Sequence, residues 1–79
     1  MTNPEKLTQA FATALNINKT LITDDLKYQG ITQWDSVTHM ILIAELESVF
    51  DIAITTDDII DMSSFAKAKE IVKKYGIEL

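Results

Sequence analysis

The chain contains no cysteine and no arginine, and among its 79 residues it has only one proline, one histidine, one tryptophan and two glycines. Without cysteine there is no disulfide staple, no thiolate nucleophile and no Cys-type zinc site, a composition that fits the reducing cytoplasm. Without glycine-rich loops there is no backbone cradle for a phosphate and no nucleophile elbow. Seven lysines stand against twelve acids, for a net charge of −5, the wrong sign for neutralising the phosphates of nucleic acid or an anionic membrane. The longest apolar run, Met40 to Ala44, is far too short to span a bilayer, and MTNPEKLTQA lacks the basic and apolar regions of a signal peptide. What remains is an acidic, soluble, non-enzymatic single domain over residues 1–79, expected to be free-standing and near the lower size limit for a self-sufficient core.

The charge is unevenly placed. Residues 35–61 hold seven acids (Asp35, Glu45, Glu47, Asp51, Asp57, Asp58 and Asp61) and no lysine, while the last eighteen residues are net positive. Such a segment is either a solvated surface or a docking face for basic partners.

Helical periodicity runs through most of the chain, and no alternating strand pattern occurs. Asn3 reads as an N-cap with Pro4 in the first helical position, followed by Leu7, Phe11, Ala14 and Leu15 on one face and an end near Asn16. Residues 16–34 have turn chemistry between apolar anchors (Ile17, Leu21, Ile22, Leu26, Tyr28 and Ile31), which predicts a long loop pinned to the core. Asp35 or Ser36 opens a second helix that runs to about Phe50. Thr55 or Thr56 caps a short third around Asp57 to Asp61. Ser63 or Ser64 caps a fourth, with Phe65, Ala68, Ile71, Val72 and Tyr75 on one face and Gly76 beyond its end. The expected fold is all-α, a small four-helix bundle of three longer helices and one short one.

The second helix is apolar on two sides. One face gathers His39, Leu42, Ile43, Leu46, Val49 and Phe50, and the opposite side collects Val37, Met40, Ile41 and Ala44. Either the second stripe is covered by the loop or the third helix, or it stays open as a contact patch.

Ser36 stands at the start of this helix. Its ordinary role there is a cap or first-turn residue; its functional role would be to carry a phosphate-linked group at the positive end of the helix dipole. A Ser36–His39–Asp35 triad is rejected because no oxyanion site accompanies it. A calcium loop starting at Asp51 fails as well, with Thr56 and Met62 where glycine and glutamate are required. No metal is assigned.

Residues 34–54, W-D-S-V-T-H-M-I-L-I-A-E-L-E-S-V-F-D-I-A-I, resemble the acyl carrier protein family, whose signature is D-S-L followed by an apolar helix ending in L-E-x-x-F-x-I-x-I. Element order, length, the long first loop and the isoelectric point of about 4.5 match along the whole chain. The resemblance implies that Ser36 bears 4′-phosphopantetheine, donated by coenzyme A through a phosphopantetheinyl transferase. Acyl or related intermediates of fatty acid, polyketide or other specialised biosynthesis then ride as thioesters on the arm's thiol. The carrier itself catalyses nothing and works as a cytoplasmic monomer that presents cargo to enzymes with basic surfaces.

Carried onto this chain, the resemblance makes Asp35, Val37, Met40, Ile41, Ala44, Glu47, Asp51, Asp57 and Asp58 the partner surface. Phe11, Leu42, Ile43, Leu46, Phe50, Ile54, Ile59, Met62 and Phe65 become the core, or the shelter for a bound chain, since in many members the acyl chain folds back into the bundle. The chain departs from the family in reading Gln33-Trp34 where glycine often precedes D-S-L, with Gly30 displaced upstream. It also carries Thr38 and Ile41 where acids are usual. The greasier face points to a dedicated partner set, and W-D-S resembles discrete carriers of specialised clusters. The Gly-Gly pair of peptidyl carriers is absent, so acyl cargo leads and aminoacyl cargo stays open. The alternative from another class is an unmodified helical adaptor that binds a basic partner through the same patch.

Overall fold

Four α-helices carry the regular structure of the computed structural model, which describes residues 1–79: α1 (Asn3–Leu15), α2 (Ser36–Phe50), α3 (Thr56–Asp61) and α4 (Phe65–Lys74). The all-α bundle of three longer helices and one short one is as expected. No strand forms; the extended segments meet only in one isolated antiparallel bridge between Lys27 and Ser64. No helix is long and apolar enough to cross a membrane.

Each helix is started by a side chain that satisfies otherwise unpaired N–H groups. Thr2, rather than the expected Asn3, caps α1: its hydroxyl accepts from Glu5 N–H at 3.3 Å and donates to the Glu5 carboxylate at 3.0 Å. Asn3 is thereby the first helical residue, and its side-chain amide is free to donate to the Glu78 carbonyl at 2.9 Å, joining the two ends of the chain. Thr55 caps α3 and Ser64 caps α4 through Lys67 N–H. The helices end as left-handed or turn geometry dictates: Asn16 and Asp51 have φ of 55° and 53°, and Gly76 follows α4 at φ 91°.

The loop between α1 and α2 is built rather than slack. A single 3-10 turn at Lys19–Leu21, not foreseen in the sequence, is capped by the Asn18 side chain. Ile22 and Leu26 are buried and Ile17, Tyr28 and Ile31 half-buried, whereas Leu21, expected as an anchor, projects into solvent. The loop is stitched to the start of α4 by Tyr28 N–H donating to Ser63 O (2.9 Å) and Phe65 N–H donating to Leu26 O (3.0 Å). Gly30 sits where the chain doubles back. Its N–H reaches the Lys27 carbonyl at 2.8 Å, and a Cβ there would lie 2.9 Å from that oxygen, so the upstream glycine is required by this turn.

The loop's last residue before the α2 cap, Trp34, is wholly buried. Its ring packs edge-on against Phe11 (centroids 5.4 Å apart, interplanar angle 86°), and Phe11 in turn packs edge-on against Phe65 at 4.9 Å. Around this row lie Leu7 and Leu15 of α1, Leu42, Ile43 and Leu46 of α2, Ile54 and Met62 flanking α3, and Ala68, Ile71 and Val72 of α4. The expected core residues are all in this cluster or against it, with Phe50 and Ile59 half-buried at its edge. Trp34 is not among the expected core residues or loop anchors, because its partner Phe11 lies across the fold and no local spacing encodes that meeting. Trp34→Ala is expected to cost about 3–5 kcal/mol in urea unfolding; a loss below about 1 kcal/mol would show that the ring is peripheral.

Candidate functional site

The start of α2 is organised by Asp35. One oxygen of its carboxylate accepts from Val37 N–H (3.0 Å) and Thr38 N–H (2.9 Å), and the Thr38 hydroxyl accepts from Asp35 N–H at 2.9 Å, closing a capping box. Thr38 also donates to Gln33 O at 2.7 Å, which fixes how the loop enters the helix. These bonds, that from Thr38 N–H foremost, hold the Asp35 carboxyl below its ordinary range despite some desolvation.

Ser36 is therefore not the cap. It is the first residue of α2, it is exposed, and the bonds that close the helix start bypass its hydroxyl. Of the N–H groups at the helix start, those of Val37 and Thr38 are taken by Asp35, whose negative charge also lies at the positive end of the helix. An exposed Ser36 Oγ that no capping bond engages leaves room for a phosphate-linked group to be attached there.

Beside Ser36 the second apolar stripe of α2 is open. Val37, Met40 and Ile41 are 67%, 54% and 50% exposed, and Ala44 is exposed as well. Neither the loop nor α3 covers them. Ile60 of α3, 76% exposed, adds a large apolar side chain that the sequence reading did not assign to the surface. Exposed apolar groups rimmed by polar ones are the composition of a contact surface.

The acids around this stripe are less available than their number implied. Asp58, expected on the partner surface, is only 6% exposed. Its carboxylate receives the Lys74 ammonium, the Tyr75 hydroxyl (2.6 Å) and the Thr55 hydroxyl (3.1 Å), while Tyr75 Oη accepts from Thr55 N–H at 2.9 Å. Asp58 is thus the fastening between α3 and the end of α4. A position eight residues past α2 on a short helix gave no sign of a lysine sixteen residues further on. Asp61 pairs with Lys67 at 3.2 Å, and Glu47, half-buried, accepts from Ile54 N–H at 3.0 Å. Asp35, Asp51 and Asp57 remain exposed as expected, the first two as helix caps.

On the inner side of α2, one turn after Ser36, His39 is half-buried with both ring nitrogens bonded. Trp34 Nε1–H donates to Nδ1 at 3.0 Å, so the proton of the neutral ring sits on Nε2, which donates to the Ile59 carbonyl at 2.8 Å. His39 lines an open cleft of about 260 Å³ with Tyr28, Ile59, Ile60, Met62 and Ser63. A second open cleft, about 320 Å³, lies between α1 and α4 and includes Pro4, Leu7, Phe65 and Lys69. No three of the acids and His39 converge as a metal site would require.

Comparison with family models, curated proteins and solved structures returns no match.

The Lys74 ammonium first, then the Tyr75 hydroxyl, hold the Asp58 carboxyl below the usual carboxylate range, and Asp58 in turn raises Lys74. Because the native group stays ionised where the unfolded one takes up a proton, its stabilisation is present above the unfolded pKa and is lost as pH falls through the lowered native value. Asp58→Asn is expected to lower the urea midpoint at neutral pH and to make the loss of stability below about pH 4 shallower, though not flat, since Asp35 is also held low. Superimposable pH profiles for the two proteins would remove Asp58 from this role.

Proposed function

We propose that the protein is a carrier that bears acyl or related intermediates as thioesters on a 4′-phosphopantetheine arm attached to Ser36. The observation that carries this reading is the uncommitted Ser36 hydroxyl at the head of α2. Asp35 performs the capping that serine would otherwise perform, which leaves Oγ accessible to a phosphopantetheinyl transferase drawing on coenzyme A. The arm supplies the terminal thiol that this cysteine-free chain lacks.

The chain's own contribution is presentation. The capping box fixes the direction in which Ser36 leaves the bundle. The open stripe of Val37, Met40, Ile41 and Ala44 lies along the same helix, where an enzyme receiving the cargo would meet it. Asp51 and Asp57 offer exposed charge for the basic surfaces of those enzymes, and Glu47 a half-buried one. With Asp58 and Asp61 held by lysines of α4, recognition leans on apolar contact more than the charge count implied. This reading places the protein in the cytoplasm as a monomeric, non-catalytic partner of acyl-loading and acyl-transferring enzymes, serving fatty acid, polyketide or other specialised biosynthesis.

Co-expression with a promiscuous phosphopantetheinyl transferase is expected to add the mass of one phosphopantetheine to the wild type and none to Ser36→Ala. Wild-type protein that stays unmodified across several transferases would sink the carrier reading and leave the stripe as an adaptor surface. Met40→Glu and Ile41→Glu are expected to weaken acyl transfer to the partner enzyme while changing stability by no more than about 0.5 kcal/mol. Unfolding of either variant would place the stripe in the core.

A further inference from the structure

The interior beside the arm's attachment point is already full. Trp34, Phe11, Leu42 and Leu46 are wholly buried and Met62 is 1% exposed, and both clefts of the molecule are surface clefts. An interior packed to the density of an organic crystal takes in a further chain only if side chains leave their rotamers or helices separate. The cleft nearest Ser36 would be the way in, between α2 and α3. There the separation is opposed by hydrogen bonds in series: the indole N–H of Trp34 to His39 Nδ1, and His39 Nε2–H to the carbonyl of Ile59. The imidazole lies nearly parallel to the indole, at 22°, and edge-on to Tyr28 at 5.2 Å, so it cannot turn aside without giving up both bonds and its packing. On the far side of α3, Asp58 fastens the same helix to Lys74 and Tyr75. Moving α3 outward would leave His39 Nε2–H and the Asp58 carboxylate without their partners on the facing elements.

We infer that the Trp34–His39–Ile59 brace is a cargo-specificity device: it closes the bundle to long acyl chains, so the carrier's cargo is a short or polar thioester that stays outside the core. This rests on the carrier reading and narrows its cargo class. His39 acts here as a positioning residue, holding α3 against α2, and has no contact with the reacting thioester.

The test uses full-length protein loaded on Ser36 with acetyl-, butyryl- or decanoyl-phosphopantetheine, with loading verified by intact mass, and follows cleavage of each thioester by hydroxylamine together with the melting temperature. For the wild type, cleavage rate and melting temperature are expected to be independent of chain length. A chain withdrawn into the core would instead slow cleavage by about fourfold for each methylene taken out of water, and slow cleavage of wild-type decanoyl protein overturns the inference. His39→Leu keeps an apolar filler but removes the bond to Ile59, and is expected to make the decanoyl thioester slower to cleave than the acetyl one. A variant as indifferent to chain length as the wild type overturns the brace as the cause. If His39→Leu does not fold, the wild-type series decides alone. Failure of every transferase to load Ser36 is seen at the mass step and removes the carrier reading, and this inference with it.

Discussion

The hydrogen bond from the Trp34 indole to His39 is the contact on which the rest of the molecule depends. It joins the last buried residue of the twenty-residue connection between α1 and α2 to the inner face of α2, and through His39 it reaches the backbone of α3. A chain of this size has no sheet to fix the placement of its helices and no disulfide to shorten its loops. Burying one large aromatic ring from the loop solves both problems. The ring fills the centre against Phe11, and its one polar atom finds an acceptor that in turn holds the short helix. No buried side-chain nitrogen or oxygen is left without a partner, which is the condition under which a polar chain inside a small core stabilises rather than costs.

The same economy explains the head of α2. Asp35 and Ser36 are adjacent, and either is a good capping residue by type. Capping by Asp35 determines that Thr38 completes the box and that Ser36 is left facing solvent. The charge around the helix is redistributed by the fold in a similar way. Lysines clustered late in the sequence return to Asp58 and Asp61, so the acidic middle of the chain is in part an internal pairing scheme with α4. Pairs of this kind are worth little where exposed, as between Lys67 and Asp61; removing a partner costs more where it leaves a buried carboxylate unpaired, as at Asp58.

What could be read in the sequence was whatever repeats within a few residues. The four helices, the two-sided character of α2 and the positions of Leu42, Ile43 and Leu46 follow from spacing alone, and the structure places them as expected. Thr2 displaced Asn3 as the first cap because the two differ by one residue and both suit the role, a choice that only the Glu5 geometry decides. Asp58 was placed wrongly, and Trp34 was left out of the core, for another reason. Their partners lie across the fold, at Lys74 and Tyr75 for one and at Phe11 for the other, and no local pattern encodes that meeting. The candidate site divides along the same line: Ser36 and the stripe of Val37, Met40 and Ile41 are local features, whereas the bond that ties α2 to α3 behind them joins His39 and Ile59, twenty residues apart.

Trp34 is the chain's only tryptophan, and it is sealed from water against a histidine. Its emission in the native state therefore comes from one dry environment, shifted to the blue of an indole in water. Any event that loosens the centre, whether unfolding, separation of α3 or entry of a guest, alters that light directly. The protein carries its own optical gauge of whether the bundle is shut, placed at the junction where opening would begin.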